Sequence, residues 1–532
     1  MENFVANISF YGSHNATIVV ENKGKIVCCI EIERFLNIKN AGYAQYLTSQ
    51  TRPVLMKEIL KYIKEKFNIS EFDNCFYSNS DTIEDGDLVR YEQSIPAKKF
   101  TQILHHSAHA ASAFYQTNYK KALIISFDGG GNDGFFNIYI AKNRNTIEEI
   151  DRIPNIDLGF AYMSFGEYLN DIKRENTLSL GNLVYAGKIM GLCSYGEVRS
   201  EWIDSFKEYY KSKPDGNTYP GLIKELGDKI GIDFSTEQRL NGQTAWDIVK
   251  TSQFVFEELF LELARPYIEK FEKLPLILTG GCALNILLNT RLKEELKQEI
   301  FIPPNPNDCG IASGLLLHHI KPKKAVDLTY SGTEVLDKDC LMMYVEDHYN
   351  YKELNNEIII DKLVDGKIIG VVRDRSEHGP RALGNRSIIC NPCIPGMKDI
   401  LNEKVKHREW YRPFAPVVRL EDVSKYFEFE GESRWMSFCP KVREEYRNTL
   451  ISITHIDNTA RVQTVTREQN PWLYDLLTDL DTRTGIGVLL NTSFNMDGKP
   501  ILSTYKDAYS VYRTSEMDCL ILQDYILDKS TK

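Results

Sequence analysis

The sequence predicts an α/β protein whose first part repeats one kind of unit. Three observations carry this. Residues 4–10, 16–20 and 25–30 are short apolar runs, divided by the polar turns Gly12-Ser13-His14-Asn15 and Glu21-Asn22-Lys23-Gly24, which is a hairpin pattern. A second strand–turn–strand unit follows, with Leu123–Phe127, then Asp128-Gly129-Gly130-Gly131, then Phe135–Ile140. Helical stretches at 224–268, 283–297 and 309–319, with a short strand at Leu276–Leu278, supply the α component.

At 532 residues the chain is long enough for about three domains. Its 42% apolar and 26% charged residues exclude a disordered or fibrous protein. A net charge of −10 argues against a non-specific nucleic-acid binder, which gains affinity by neutralising phosphates. No signal segment opens the sequence and no uncharged apolar run is long enough for a membrane span, so the expected location is cytoplasmic. The eleven cysteines read as reduced and structural, and the lone Cys390/Cys393 pair lacks partners at zinc spacing.

The rigid run Pro303-Pro304-Asn305-Pro306-Asn307 and the Pro- and Lys-rich 321–324 place a domain edge beyond them: a first domain over 1–335 and a second over 345–532. The second opens with the strand Lys367–Val372. Its later strand Gly487–Leu490 runs into Asn491-Thr492-Ser493-Phe494-Asn495, polar side chains carried from a strand end into a loop.

The segment from Leu104 to Phe114 is alanine-rich and predicts a helix. There His105 and His109 lie one turn apart on one face, able to hold a divalent ion, while His106 points elsewhere, to touch substrate or cap the site. Two further ligands have to come from other segments. Asp128 ends an apolar strand and is either a ligand or a turn carboxylate bonded to the glycine backbone. Asp308 starts a helix and is either a ligand or its N-cap. His14 is either a general base for a hydroxyl nucleophile or a turn hydrogen-bonder. The H-E-x-x-H signature of a metalloprotease is absent from His105-His106-Ser107-Ala108-His109.

Two glycine clusters suit an anionic ligand. The backbone of Gly129, Gly130 and Gly131 can line phosphate oxygens, and Gly281 to Asn285 follow a strand and open a helix. Neither is a Walker or dinucleotide motif. Residues 373–412 carry nine Arg or Lys against five Asp or Glu, a balance of +4. Arg381 and Arg386 sit among glycines and proline, where backbone and guanidinium can both approach a phosphate or carboxylate. Arg461, Ser493 and Asn495 are candidates to complete that pocket.

These residues recur in ordered motifs: Ser13-His14-Asn15-Ala16; Glu31-Ile32-Glu33-Arg34-Phe35 with Lys39; His105-His106-Ser107-Ala108-His109; Gly187-Lys188-Ile189-Met190-Gly191; Gly281-Cys282-Ala283-Leu284-Asn285; Pro306-Asn307-Asp308-Cys309-Gly310; Arg375 to Arg386; Arg412-Pro413-Phe414-Ala415-Pro416; and Leu490 to Asn495. The whole resembles the family of nodulation-factor, cephalosporin and aminoglycoside O-carbamoyltransferases. The resemblance implies an actin/sugar-kinase-like (ASKHA, Kae1-like) duplicated N-terminal domain followed by a YrdC-like α/β C-terminal domain. It implies that carbamoyl phosphate and ATP yield carbamoyladenylate in the second domain, with Arg381, Lys406, Arg412, Arg461, Ser493 and Asn495 holding the anionic groups. The first domain would pass the carbamoyl group to a hydroxyl of a small-molecule acceptor such as a sugar or natural product. His105, His109, Asp128 and Asp308 would hold Fe²⁺ or a similar ion there, with Lys39, Gly129, Gly130, Gly281 and Asn285 around the intermediate and His14 as base. The resemblance leaves a homodimer open. The chain departs from the family pattern at Asn15, at Asn40 and at Val184-Tyr185-Ala186, positions that bear on the acceptor.

Three rivals remain at this level. A sugar-kinase-like phosphotransferase would need no carbamoyl phosphate. A threonylcarbamoyladenylate-dependent tRNA-modifying enzyme would need an RNA surface. A non-enzymatic binding protein would leave both ligand sets unexplained.

Overall fold

The computed structural model describes residues 6–42, 51–78, 94–154, 156–173, 181–212, 219–296, 298–348, 351–496 and 498–529. Residues 4 and 5 of the first expected strand, and residue 297 of an expected helix, lie outside these.

The first sheet comprises β1 (Ala6–Tyr11), β2 (Thr17–Asn22), β3 (Lys25–Glu31), β4 (Phe72–Ser78) and β5 (Ala97–Gln102), in the order β3-β2-β1-β4-β5. Its first three strands are antiparallel, and β4 and β5 add in parallel. The second sheet comprises β6 (Ala122–Phe127), β7 (Phe136–Asn143), β8 (Thr146–Ile153), β9 (Leu276–Thr279) and β10 (Ile300–Phe301). Read from β8, its order is β8-β7-β6-β9-β10, with antiparallel pairing up to β6 and parallel pairing beyond. The two sheets therefore share strand order and polarity, and the first part is a duplication.

Two helices pack between the sheets, His105–Tyr115 and Ile311–Ile320. They touch closely because Gly314 has no side chain: a Cβ there would stand 2.0 Å from the Ala108 carbonyl oxygen. This contact brings Asp308, just before the second helix, to the histidine face of the first.

The rest of the chain forms a mixed eight-stranded sheet. Its strands are β11 (Tyr351–Glu353), β12 (Ile369–Val372), β13 (Arg386–Cys390), β14 (Ala415–Arg419), β15 (Gln463–Val465), β16 (Val488–Ser493), β17 (Cys519–Leu522) and β18 (Tyr525–Asp528), in the order β11-β18-β17-β12-β13-β16-β14-β15. One buried apolar cluster runs from Leu123 on β6 through Leu259 to Leu490 on β16 and Leu522 on β17, so the two parts share a core.

Two sequence expectations change. The helical stretch at 224–268 is two helices, Tyr219–Ile230 and Gly242–Lys270, interrupted after Gly231 at φ +72°. Asn491 to Ser493 belong to β16 rather than to a loop, because Ile389 and Ser387 of β13 continue the pairing opposite them. All eleven cysteines are unpaired, as expected, and among the described residues no helix is long and apolar enough to cross a membrane.

Candidate active site

The helix His105–Tyr115 starts without a cap of its own. Its first amides are satisfied from the glycine turn instead: His105 N donates to Asn132 Oδ1 and His106 N to Asp133 Oδ1, each at 3.0 Å. Gly131 packs against the His105 ring, where a Cβ would come within 2.8 Å. The turn after β6 thus fixes the histidine helix and presents Asp128 to it.

His105, His109, Asp128 and Asp308 converge, one ligand atom from each lying within 4.8 Å of all the others. The two Nε2 atoms stand 3.2 Å apart. His109 Nε2 is 3.2 Å from Asp128 and 3.5 Å from Asp308, and His105 Nε2 is 3.7 Å from Asp308. Burial, more than its neighbours' charges, pushes the His105 imidazole down to about 3, so its lone pair is free at neutral pH. Burial pulls His109 down too, but the two carboxylates outweigh it and hold the imidazole up at about 9. Burial raises Asp308, yet His14, His105 and His109 together keep it below the usual carboxylate range. Two imidazoles and two carboxylates converge here, Asp128 partly and the other three fully buried, and they fit a divalent ion, whose binding would displace the His109 proton. Tyr11 at the end of β1 donates to Asp308 Oδ2 at 2.6 Å, and His14 Nε2 stands 3.4 Å from the same oxygen. Asp128 also accepts from the amides of Gly129 and Gly281, as its reading as a turn carboxylate bonded to the glycine backbone expects.

A cavity of about 320 Å³ opens from this cluster, within the size range of small-molecule sites. Asp128, Asp308, His14, Lys39, Gly129, Gly281 and Asn285 of the first part line it, together with Arg381, Arg412, Arg461, Ser493 and Asn495 of the second. Among the described residues, neither Arg381 nor Arg461 makes a hydrogen bond or ion pair with the protein. Burial and the neighbouring Arg412 pull Arg381 down to about 10, and burial together with Arg381, Arg408 and Arg412 depresses Arg461 further. Two buried guanidiniums, Arg381 and Arg461, with no counter-charge among the described residues form a site whose cost is offset when an anion enters.

Two models match the sequence: Carbamoyltransferase N-terminus over residues 45–317 and Carbamoyltransferase C-terminus over 360–529. The chain belongs to the carbamoyltransferase family. Nodulation protein NolNO of Sinorhizobium fredii is 30% identical, covering 97% of this chain and 79% of that one. The 3'-hydroxymethylcephem-O-carbamoyltransferase of Amycolatopsis lactamdurans is 32% identical over 60% of this chain and 61% of its own. Among solved structures, full-length HypF in its phosphate- and nucleotide-bound form aligns over 60% of this chain and 47% of that one, at 17% identity and a TM-score of 0.37, too distant to bear on the site. The protein is an enzyme that transfers carbamoyl groups.

Within this carbamoyltransferase, Lys406 and Gly130 are not among the cavity-lining residues. Lys406 is buried and donates to the carbonyls of Ser493 (2.6 Å) and Asn495 (2.7 Å) and to the Asn495 side chain, so it shapes the turn that presents Ser493 and Asn495. Gly130 faces Phe135 and Phe160. His106 lies behind the cluster, bonded to Ser126 Oγ and the Gly134 carbonyl, and touches nothing in the cavity. Asn285 lines the wall while capping the helix Ile286–Glu295 through Leu288 N. Lys499, Asn491, Cys282 and Tyr162 also line the cavity and were not singled out as site residues by the sequence. Nothing local distinguishes Lys499 from a surface lysine, but Asn491, at the end of an apolar strand, carried a readable signal.

Proposed function

We propose that this carbamoyltransferase uses ATP and carbamoyl phosphate to form carbamoyladenylate, and then carbamoylates a hydroxyl of a small-molecule acceptor. The observation that carries this reading is the single cavity lined both by unpartnered Arg381 and Arg461 and by Asp128 and Asp308. In the first stage carbamoyl phosphate loses phosphate to water. A carbamate oxygen then attacks the α-phosphorus of ATP and expels pyrophosphate. Arg381, Arg412 and Arg461 neutralise charge on the phosphoryl oxygens and align carbamate with nucleotide, while Ser493 and Asn495 offer neutral hydrogen bonds. In the second stage the acceptor oxygen attacks the carbamoyl carbon, its proton goes to His14, and AMP leaves with the electron pair. Gly129 and Gly281 allow backbone approach to the intermediate, and Lys39 adds a cation at the rim. His105, His109, Asp128 and Asp308 would hold a divalent ion, Fe²⁺ by resemblance, which supplies Lewis-acid polarisation when bound. The proposed division of labour follows the two parts of the chain, an actin/sugar-kinase-like transfer part over 1–335 and a YrdC-like activating part over 345–532. The hydroxyl-acceptor reading has a parallel in the cephem relative, whose name specifies O-carbamoylation.

The test is incubation with ATP and isotope-labelled carbamoyl phosphate, with and without Fe²⁺. The expected products are pyrophosphate, phosphate and labelled carbamoyladenylate. Release of ADP alone, across a panel of acceptors, rejects this reading in favour of a kinase.

A further inference from the structure

The arginine side of the cavity is not held by its own part of the chain alone. Arg381 lies in the stretch 377–385, whose shape is set from within by Glu377 Oε1, accepting from Leu383 N (2.7 Å) and Asn385 N (2.9 Å). The stretch is clamped from outside by the end of β3 and the short helix Ile32–Leu36 after it. Glu31 Oε1 accepts from Gly379 N at 2.8 Å, and Arg34 donates to the carbonyls of Glu377 (2.5 Å) and Gly379 (2.8 Å). Glu31 and Arg34 also pair with each other at 3.1 Å, both buried. On the other flank, Lys188 of the helix Tyr185–Leu192 is buried and places its ammonium 2.7 Å from Glu409 Oε1, a close ion pair outside hydrogen-bond angle. The second oxygen of Glu409 stands 3.5 Å from Arg412 Nη1. Each flank thus has a buried charged group from the first part, acting through one intermediary on an arginine that lines the cavity.

We propose that Lys188, through Glu409, and Glu31 with Arg34, through the 377–379 backbone, are positioning residues for Arg412 and Arg381, so that the transfer part completes the anion site of the activating part. A buried lysine and a buried glutamate are costly to keep unless paired, and here the pairing fixes where a third charge points. The inference rests on the reading above that the arginines hold carbamoyl phosphate and nucleotide.

The experiment measures pyrophosphate release against carbamoyl phosphate concentration in the full-length protein, with bound divalent metal and melting temperature measured on each variant. Lys188→Met and Glu31→Ala are expected to raise KM for carbamoyl phosphate by about tenfold or more, the scale of a misplaced binding group, with metal content unchanged. Lys188→Arg should restore most of the affinity. Because Lys188→Met takes away the cation nearest to the buried Glu409 and leaves it Arg412 at 3.5 Å, the double variant Lys188→Met with Glu409→Gln separates the roles. It should regain melting temperature while KM stays high, since Arg412 still lacks its guide. A KM that returns to wild type together with stability means Lys188 is merely structural and overturns the proposal, as does an unchanged KM in Lys188→Met and Glu31→Ala. A wild-type protein that releases no pyrophosphate with carbamoyl phosphate defeats the proposed function instead.

Discussion

At the residue scale, the two ligand sets make opposite demands and so separate by mutation. His105→Ala combined with His109→Ala should abolish bound divalent metal and acceptor carbamoylation while pyrophosphate release persists; metal analysis and a pyrophosphate assay decide it, and loss of pyrophosphate release at normal metal content contradicts it. Arg461 is crowded by Arg381, Arg408 and Arg412. Arg461→Gln should therefore lower kcat/KM for the first stage by about 10- to 100-fold, the value of hydrogen bonds to a charged group, yet leave the ligand-free melting temperature unchanged or higher. A fall in that melting temperature would mean that the guanidinium has a structural partner. Several of these side chains stood out in the sequence because each broke a local rule: histidines at i,i+4 in an alanine helix, Asp128 ending an apolar strand, Arg381 among glycine and proline. Lys406 stood out only as one of the cations of the basic stretch 373–412 and turned out to anchor a turn, since an excess of charge along a stretch does not tell a group that meets the ligand from one that holds its neighbours.

At the element scale, the walls depend on a few constrained turns. Gly280 has φ +91°, and a Cβ there would lie 2.1 Å from the Phe127 carbonyl oxygen. Gly280→Ala should cost about 1–3 kcal/mol and move Gly281 off Asp128, read as a lower melting temperature together with weaker metal binding; unchanged values for both would show that the turn adapts. Asp157 caps the helix Leu158–Ser164, which lines the cavity, and accepts from Phe160 N and the Tyr219 hydroxyl. Burial, only partly offset by these bonds, raises its pKa to about 7. Between the unfolded carboxyl value near 4 and about 7 the folded state therefore binds more protons, and stability falls as pH rises through that window. Asp157→Asn, which keeps the cap, should gain melting temperature relative to wild type at pH 8 and not at pH 4; an equal difference at both pH values contradicts this. Strands and helices were readable from apolar periodicity, whereas their ends were not. Whether Asn491 to Ser493 extend a strand depends on β13, about a hundred residues earlier, and the capping of the histidine helix by Asn132 and Asp133 depends on a turn folding back across a sheet.

At the scale of the whole molecule, duplication was visible as two similar hairpin units, and the expectation of an edge between two domains rested on the Pro- and Lys-rich 321–324. How the parts meet was hidden. Contacts such as Arg34 with Gly379, or Lys188 with Glu409, join residues more than two hundred positions apart and leave no local pattern. One cavity serving a divalent-ion cluster and an arginine cage together is the proposal on which the rest depends. Its most direct test is a crystal structure with Fe²⁺ and a non-hydrolysable ATP analogue, the ion located by anomalous scattering. The ion is expected within bonding distance of His105, His109, Asp128 and Asp308, with phosphate oxygens on Arg381 and Arg461 in the same cavity. An ion bound elsewhere, or a triphosphate seated away from both arginines, would contradict it.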